Sequence, residues 1–193
     1  MIDPDRGSHD PRISVDHDLL ETLRLAQRLG VVGSGSVIDA AEHALQYVEA
    51  LAPVPAGSRL VDLGSGGGLP ALVVGRSRPD LELLLIDRRQ KRADFLARAV
   101  ARLGLDGTVR CDDVRRLVDD VDSGAVRAFD AVTARSFGPP SPTMRVARSL
   151  LTPDGCFVVS EPPSGDRWDP ELLAELGAER VRCGGVSRFT FAS

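Results

Sequence analysis

Three glycines at alternate positions, preceded by an aspartate, form the stretch of the chain best suited to hold a ligand. Asp62 stands just before Gly64, Gly66 and Gly68, and an apolar run precedes them all. An apolar run that ends in glycines predicts a buried strand and a tight turn, where backbone N–H groups approach a ligand closely. A dinucleotide-binding motif would need a glycine at position 69, which is Leu69. We therefore expect a ligand other than a dinucleotide.

A second aspartate narrows the choice of ligand. Asp87 ends the next apolar run, residues 81–86, and comes about twenty residues after the glycines, where a carboxylate can accept hydrogen bonds from both hydroxyls of a ribose. Asp62 suits a ligand with an amino group better than one with a pyrophosphate. Together the two aspartates indicate an unphosphorylated adenosine with an amino-acid tail, which is S-adenosylmethionine.

Other charged residues follow the second and third predicted strands. Asp112, Asp113 and Val114 come after the third strand, where the edge of an adenine would lie. An aspartate there can accept a hydrogen bond from the exocyclic amine, although Asp112 would serve equally well as the N-cap of a helix. Arg88 directly follows Asp87, and we expect it either beside the cofactor or in an ion pair with that aspartate.

Alternating strands and helices are predicted to position these residues. The predicted strands span residues 58–63, 81–86, 107–111, 129–134 and 155–160. The predicted helices between them span residues 69–77, 88–104, 112–119 and 140–151. This alternation predicts an α/β fold with a parallel sheet and right-handed crossovers. A further helix from Pro170 precedes two strands, 179–183 and 187–191, and the glycine pair between them predicts a C-terminal antiparallel hairpin.

The domain organisation follows from length and composition. A chain of 193 residues suffices for one α/β domain. Residues 1–16 lack apolar periodicity and are predicted to form a disordered tail. Within a single domain spanning 17–193, residues 17–55 are predicted to form two N-terminal helices and 56–193 the cofactor-binding core. Glycines and serines at 33–36 predict a flexible turn between the two helices.

Composition limits the partners that the chain can have. Hydrophobic residues make up 42% and charged residues 27% of the sequence, which is ordinary for a soluble globular protein. No apolar run approaches the length of a membrane helix, and we expect no membrane partner. The net charge of −4 argues against a strongly cationic nucleic-acid binder. Residues 59–116, however, carry 12 basic and 8 acidic side chains, so the positive charge is concentrated there.

Cysteine and histidine usage gives no sign of a metal. The three cysteines lack the spacing of metal ligands, and the three histidines form no cluster. Cys111 and Cys156 fall in predicted strands, which indicates buried thiols in a reducing cytosol. We therefore expect no metal and a cytoplasmic location.

Several of these stretches together resemble the RsmG (GidB) family, methyltransferases that act on N7 of a guanine in small-subunit ribosomal RNA. The similar stretches are Val61–Pro70, Leu85–Asp87, Lys91–Leu96, Phe129–Phe137 and Leu150–Gly155. The leucine and proline after the glycines are more specific to the family than the glycines themselves. The resemblance covers roughly residues 59–160.

The resemblance implies a class I methyltransferase with a Rossmann-like fold, S-adenosylmethionine as cofactor and ribosomal RNA as partner. It implies that Leu69 covers the cofactor and that Arg135 lies at the cofactor or orients the substrate. Guanine N7 carries a lone pair and no proton, so methyl transfer to it needs alignment rather than a general base. We expect the enzyme to be a monomer.

Two other interpretations stay open. One is methyl transfer to a small molecule or another RNA position. It is favoured by the acidic balance, by the absence of the family's N-terminal signatures and by Glu161, which stands where the family has a lysine-glycine pair. The other is a catalytically inactive protein that binds the cofactor alone.

Overall fold

A single sheet of seven strands forms the centre of the computed structural model, which describes residues 16–192. The strands are β1 (Arg59–Leu63), β2 (Glu82–Ile86), β3 (Gly107–Arg110), β4 (Phe129–Ala134), β5 (Leu151–Ser160), β6 (Ala178–Cys183) and β7 (Val186–Phe191). Their order across the sheet is β3-β2-β1-β4-β5-β7-β6. The first five are parallel, and β7 pairs antiparallel with both β5 and β6. The predicted parallel sheet with a C-terminal antiparallel hairpin is confirmed.

Seven helices cover the two faces of this sheet within the described residues. They are α1 (His17–Arg28), α2 (Val37–Ala50), α3 (Ala71–Ser77), α4 (Gln90–Leu103), α5 (Val114–Asp122), α6 (Pro140–Leu150) and α7 (Pro170–Glu175). One hydrophobic cluster contains buried side chains of α1 to α4, and a second contains those of α5 to α7. The chain thus forms three layers, with the inner strands buried on both faces as parallel strands usually are.

The element boundaries differ from prediction where turns take residues from the predicted elements. α3 begins at Ala71 rather than at residue 69, because the turn after β1 continues through Pro70. α4 begins at Gln90, so Arg88 precedes the helix instead of belonging to it. β3 ends at Arg110, and the prediction that Cys111 is a buried strand residue is wrong because its side chain is exposed. Cys156 is buried in β5, and burial raises the pKa of its thiol to about 11.

β5 is longer than predicted because it takes up an irregularity beside β4. Phe129 is opposite Leu151, and Ala131 is opposite Cys156, so the extra residues of β5 leave the regular ladder. Leu151 has an extended backbone and ends α6 instead of continuing it. Asp130 accepts a hydrogen bond from the N–H of Arg59 at 2.8 Å, which joins the starts of β4 and β1.

The connection between α1 and α2 packs on the glycine turn of the core. Gln27 Nε2 donates hydrogen bonds to the carbonyl oxygens of Gly33 and Gly35, at 2.9 and 2.7 Å. Lys91 Nζ of α4 donates to the carbonyl oxygen of Leu29 at 3.1 Å. The turn predicted to be flexible is therefore held at several points. At its N-terminus α1 is capped by Asp16, while the rest of the predicted tail, residues 1–15, lies outside the described residues.

None of the helices in residues 16–192 is both long enough and apolar enough to cross a membrane.

The contact between the N-terminal helices and the glycine turn can be tested at Gly67. A Cβ at this position would lie 2.1 Å from Val32 Cγ2 and 3.0 Å from the carbonyl oxygen of Val31. Gly67→Ala should therefore lower the free energy of unfolding by about 1–3 kcal/mol, as overpacking of a filled site does. Gly33 has nothing within 4 Å of its Cβ position. The matched control Gly33→Ala should change stability by no more than about 0.5 kcal/mol. Equal denaturation midpoints for the two variants would contradict this packing.

Candidate functional site

A cavity of about 370 Å³ opens at the carboxyl ends of β1 to β4. Its lining residues are Gly64, Ile86, Asp87, Arg88, Arg89, Arg92, Asp112, Asp113, Val114, Ser136 and Phe137. In an open parallel sheet, ligands bind at this edge, where the strand order reverses. Here the reversal occurs at β1, because β2 and β4 pair with its two sides. The fold therefore brings residues from four separate stretches of the sequence to one cavity.

The glycine turn borders this cavity through its first glycine, Gly64. Gly64, Gly66 and Gly68 have φ angles of +64°, +56° and +95°, which side-chain-bearing residues rarely adopt. Ser65 donates its N–H to the carbonyl oxygen of Ile86 at 3.0 Å, so the turn is tied to the end of β2. Of the three predicted glycines only Gly64 lines the cavity; Gly66 and Gly68 are buried behind it.

Asp87 connects the glycine turn to the rest of the cavity wall. Its side chain is 4% exposed; Oδ2 accepts the N–H of Gly66 at 3.0 Å, and Oδ1 accepts the N–H of Arg89 at 2.9 Å. The ion pair expected with a neighbouring arginine is made by Arg92, whose Nη1 lies 3.5 Å from Oδ2. Arg88 lines the cavity as an exposed side chain. Each carboxylate oxygen has two lone pairs, so Asp87 keeps acceptor capacity for a ligand.

Asp62 is buried beneath the turn with one oxygen free. Oδ1 accepts a hydrogen bond from Thr133 Oγ1 at 2.6 Å, whereas Oδ2 has no partner among the described residues. Burial raises the pKa of this carboxyl group to about 6, and the charge of Asp87 adds to the shift. A buried acceptor without a donor is uncommon in folded proteins. Asp62 is 1% exposed and is not among the residues that line the cavity, so this oxygen lacks a donor but lies beneath the turn.

The third predicted group of residues forms the opposite wall. Asp112 pairs with Arg110 at 2.8 Å and with Arg116 at 3.6 Å. Asp113 is the N-cap of α5 and accepts the N–H of Arg115 at 3.0 Å, so the capping role considered for Asp112 belongs to its neighbour. Hydrogen bonds from Arg115 hold the pKa of Asp113 well below its usual range. Val114, half-buried, is the apolar part of this wall.

The family model described as "GidB: rRNA small subunit methyltransferase G" matches residues 23–162. The chain belongs to the GidB family. Proteins named ribosomal RNA small subunit methyltransferase G are similar to it: that of Laribacter hongkongensis is 39% identical over 114 residues, 58% of this chain and 52% of that protein. That of Acidothermus cellulolyticus is 36% identical over 156 residues, 77% of this chain and 65% of that protein. The chain spans about half the length of many of the curated relatives that it matches.

Solved structures share the fold at low sequence identity. The O-methyltransferase TomG from Streptomyces achromogenes, solved in complex with SAM, superposes with a TM-score of 0.67 at 17% identity over 95% of this chain and 93% of that chain. An O-methyltransferase from Bacillus cereus, solved with SAH, gives a TM-score of 0.68 at 16% identity over 94% of both chains. The class I methyltransferase fold predicted from the sequence is confirmed.

Two residues assigned from the GidB resemblance lie away from the cavity. Leu69 is half-buried and packs against the hydrophobic cluster of α1 to α4. Arg135 turns toward α2, where its Nη1 donates to the carbonyl oxygen of Ala40 at 3.4 Å. Its charge, together with the larger effect of burial, lowers the pKa of His43 on the same helix. Arg135 thus lies on the side of the N-terminal helices, and its role at the substrate stays a prediction.

Ser136 and Phe137 were not assigned to the site from the sequence, although both line the cavity. Ser136 has a φ of +52°, which is uncommon for a residue other than glycine. Phe137 lies against the glycine turn, and a Cβ built on Gly64 would be 2.8 Å from its Cδ2. A serine carries no sequence signal of a left-handed backbone, so this turn could not be anticipated.

Glu161 does not present its charge to a substrate in this structure. Its side chain is 3% exposed. Oε1 accepts a hydrogen bond from Trp168 Nε1 at 2.7 Å, and Oε2 lies 3.3 Å from Arg167 Nε. We interpreted Glu161 as a carboxylate on the substrate side, where the GidB family has a lysine. This interpretation is wrong, because the carboxylate is buried and pairs with Arg167.

Within the described part of the chain, no group of three or more histidine, cysteine or acidic side chains is arranged to hold a metal ion.

The buried carboxyl of Asp62 gives a test by pH. Between its ordinary pKa near 3.8 and about 6, the folded protein keeps a proton that the unfolded chain has lost. Stability should therefore fall as pH rises through this window, by about 3 kcal/mol in total for this group. Asp62→Asn should remove that loss. The free energy of unfolding of the variant, measured in urea, should therefore rise relative to that of the wild type between pH 4 and 7.

A control for this test is Asp80→Asn. The pKa of Asp80 is lowered by its hydrogen bonds with Arg78, so its contribution has the opposite sign and grows as pH rises. A stability difference between the wild type and Asp62→Asn that stays constant with pH would contradict the burial of an ionisable Asp62.

Proposed function

We propose that this chain transfers a methyl group from S-adenosylmethionine to N7 of a guanine in small-subunit ribosomal RNA, in the cytoplasm. Membership of the GidB family supports the activity and the RNA substrate. The observation that carries the cofactor assignment is the pair of aspartates at the glycine turn. Asp62 has a free buried oxygen, and Asp87 holds the turn while keeping acceptor capacity.

The side chains that line the cavity, together with Asp62 beneath the glycine turn, fit the chemical groups of this cofactor. Asp62 would take the ammonium group of the methionine part, and an ion pair would offset the cost of burying its charge. Asp87 would accept hydrogen bonds from the ribose hydroxyls. Ile86 and Val114 offer apolar contact to an adenine, and Asp112, which lines the same cavity, would accept a hydrogen bond from its amino group. The cofactor, when bound, supplies the activated methyl group.

The chain itself has little covalent chemistry to perform. N7 of guanine attacks through a lone pair, so no residue needs to remove a proton. The work of the protein is to fix the donor and the base in line and to keep water out. The glycine turn suits the first task, because hydrogen bonds to Ile86 and Asp87 fix it against the end of β2.

The rim of the cavity offers charge for the phosphates of an RNA. Arg88 and Arg89 line the cavity with exposed side chains. Neither makes an ion pair with another described residue, in contrast to Arg115 and Arg116, which pair with aspartates. Arg88 and Arg89 are therefore the arginines at the rim most available to a phosphate. This local positive charge answers the objection from the net charge of −4.

A small-molecule acceptor is the second candidate. Glu161 does not favour a small-molecule acceptor, because its carboxylate pairs with Arg167 inside the fold. What still favours it is the N-terminal region, which lacks the family's signatures. Incubation with labelled cofactor and either small-subunit RNA or a panel of nucleosides separates the two candidates. Methylguanosine in RNA digests supports the RNA function, methylated free nucleosides support the second candidate, and binding without any turnover supports an inactive protein.

The cofactor assignment predicts a loss of affinity on truncation of Asp87. Asp87→Ala should weaken binding of S-adenosylmethionine by about 1–3 kcal/mol, or roughly 5- to 150-fold, because buried partners lose their acceptor. Isothermal titration calorimetry measures this without turnover. Asp94→Ala is the matched control, since Asp94 is exposed on α4 and accepts only from Gln90 within the described residues. Unchanged affinity in a folded Asp87→Ala protein would contradict the cofactor assignment.

The RNA assignment predicts steep dependence on salt. If Arg88 and Arg89 contact phosphates, then each change to alanine should lower the slope of log K against log salt by about one. Filter binding of a small-subunit RNA fragment at several salt concentrations gives the slopes.

Arg145→Ala is the control for these slopes, because Arg145 lies on α6, on the other face of the sheet, and pairs with Glu175 at 2.6 Å. RNA binding that is insensitive to Arg88 and Arg89 but sensitive to Arg145 would place the RNA on the wrong face and contradict this part of the proposal.

A further inference from the structure

The edge of an aromatic ring lies against the first glycine of the turn. Phe137 lines the cavity, and its Cδ2 would be 2.8 Å from a Cβ on Gly64. No residue larger than glycine fits at position 64 unless the ring moves. The ring is half-buried: it packs against the hydrophobic cluster of α5 to α7 on one side and faces the cavity on the other.

The backbone before the ring is held in a conformation that serine does not favour. Ser136 has a φ of +52°, in the left-handed region. Such residues concentrate where the surrounding structure fixes the direction of a functional side chain. Here the left-handed residue follows the end of β4 and turns the chain so that Phe137 lies at Gly64. The placement of the ring is therefore a feature of the fold rather than of a mobile surface side chain.

The position of Gly64 indicates which part of the methyl donor the ring would meet. Asp62, proposed for the ammonium group, comes two residues before Gly64 in the sequence. Asp87, proposed for the ribose, is bound to the N–H of Gly66, two residues after it. In S-adenosylmethionine the sulfur atom joins the amino-acid part to the ribose. Gly64, Asp87 and Phe137 line the same cavity, so a donor whose ribose is held by Asp87 and whose amino-acid part lies toward Asp62 would carry its sulfur near Gly64, where Phe137 lies.

We propose that Phe137 is a positioning residue whose ring contacts the positively charged sulfonium of the methyl donor. The proposal rests on the proposed function, since it takes S-adenosylmethionine as the donor. An aromatic ring attracts a cation through its electron-rich face, and the attraction is greatest where water is excluded. The demethylated product, S-adenosylhomocysteine, has a neutral thioether that makes only the weaker contact of sulfur with an aromatic ring. Phe137 therefore favours the charged donor over the spent product and aids the exchange of one for the other.

The test compares two ligands that differ in this charge. Phe137→Leu keeps an apolar side chain of similar size and removes the aromatic ring. By calorimetry without RNA, it should weaken binding of S-adenosylmethionine roughly 3- to 30-fold, the range of a cation–π contact. Binding of S-adenosylhomocysteine should weaken several-fold less than that of S-adenosylmethionine, because its neutral sulfur makes only the weaker contact with the ring. Phe137→Tyr should retain the preference for the charged ligand, because its ring is also aromatic.

A matched control lies on the opposite wall of the same cavity. Val114→Ala would remove apolar contact with the adenine. The two ligands share this group, so the variant should weaken the binding of both to the same extent. Thermal unfolding checks that each variant is folded.

Equal losses for both ligands in Phe137→Leu would show apolar packing alone and would overturn the proposal. Unchanged affinity for both ligands with weaker RNA binding would also overturn it, because the ring would then contact the substrate base. A wild-type protein that binds neither ligand would overturn the proposed function itself. That outcome is distinct from a wild type that binds both ligands and a Phe137→Leu variant that loses affinity for both equally, which overturns only the role of the ring.

Discussion

The hydrogen bond from the N–H of Gly66 to Asp87 Oδ2, at 3.0 Å, is the contact on which the rest of the site depends. It joins the turn after β1 to the end of β2, although the two residues are far apart in the sequence. Because Asp87 is buried, its charge needs donors, and the turn supplies one from Gly66 while the start of α4 supplies another from Arg89. The acidic side chain that a ligand would use is therefore also the one that shapes the turn. On the proposed function, the same carboxylate would serve both ligand binding and local folding.

The second support of the site comes from the N-terminal helices. Val31 and Val32 lie so close to Gly67 that no Cβ fits there, and Lys91 and Gln27 hold the connection between α1 and α2 in place. The face of the turn that does not border the cavity is thus covered by protein. Asp62 and Asp87 are both buried there, and electrostatic interactions are stronger at buried sites than in water. The two added helices are part of the core that holds the site.

The sequence was sufficient to predict the fold and most of the residues that line the cavity, because both follow from local patterns. Apolar runs that end in glycine or aspartate predict parallel strands, and the strand ends then meet at one edge. The same patterns could not predict the direction in which individual side chains point. Arg135 follows β4 just as Asp87 follows β2, yet it turns toward Ala40 on α2 instead of into the cavity. Phe137 lines the cavity directly after Ser136, whose left-handed backbone the sequence does not predict. Glu161 is buried by Arg167 and Trp168, which are close in sequence but carry no pattern that predicts the contact.

The distribution of ion pairs explains how an acidic chain can present a positive surface at one place. Several acidic residues near the cavity are satisfied by arginines of their own segment: Asp113 by Arg115, and Asp112 by Arg110. Such pairs cancel at a distance and contribute little to the field that a phosphate would meet. Arg88 and Arg89, by contrast, have no ion-pair partner in the part of the chain that the structure describes, and they lie at the mouth of the cavity. Net charge therefore misjudges this surface, since it counts neutralised and available charges alike. What an approaching polyanion meets is set by the arginines left over after the internal pairs are made.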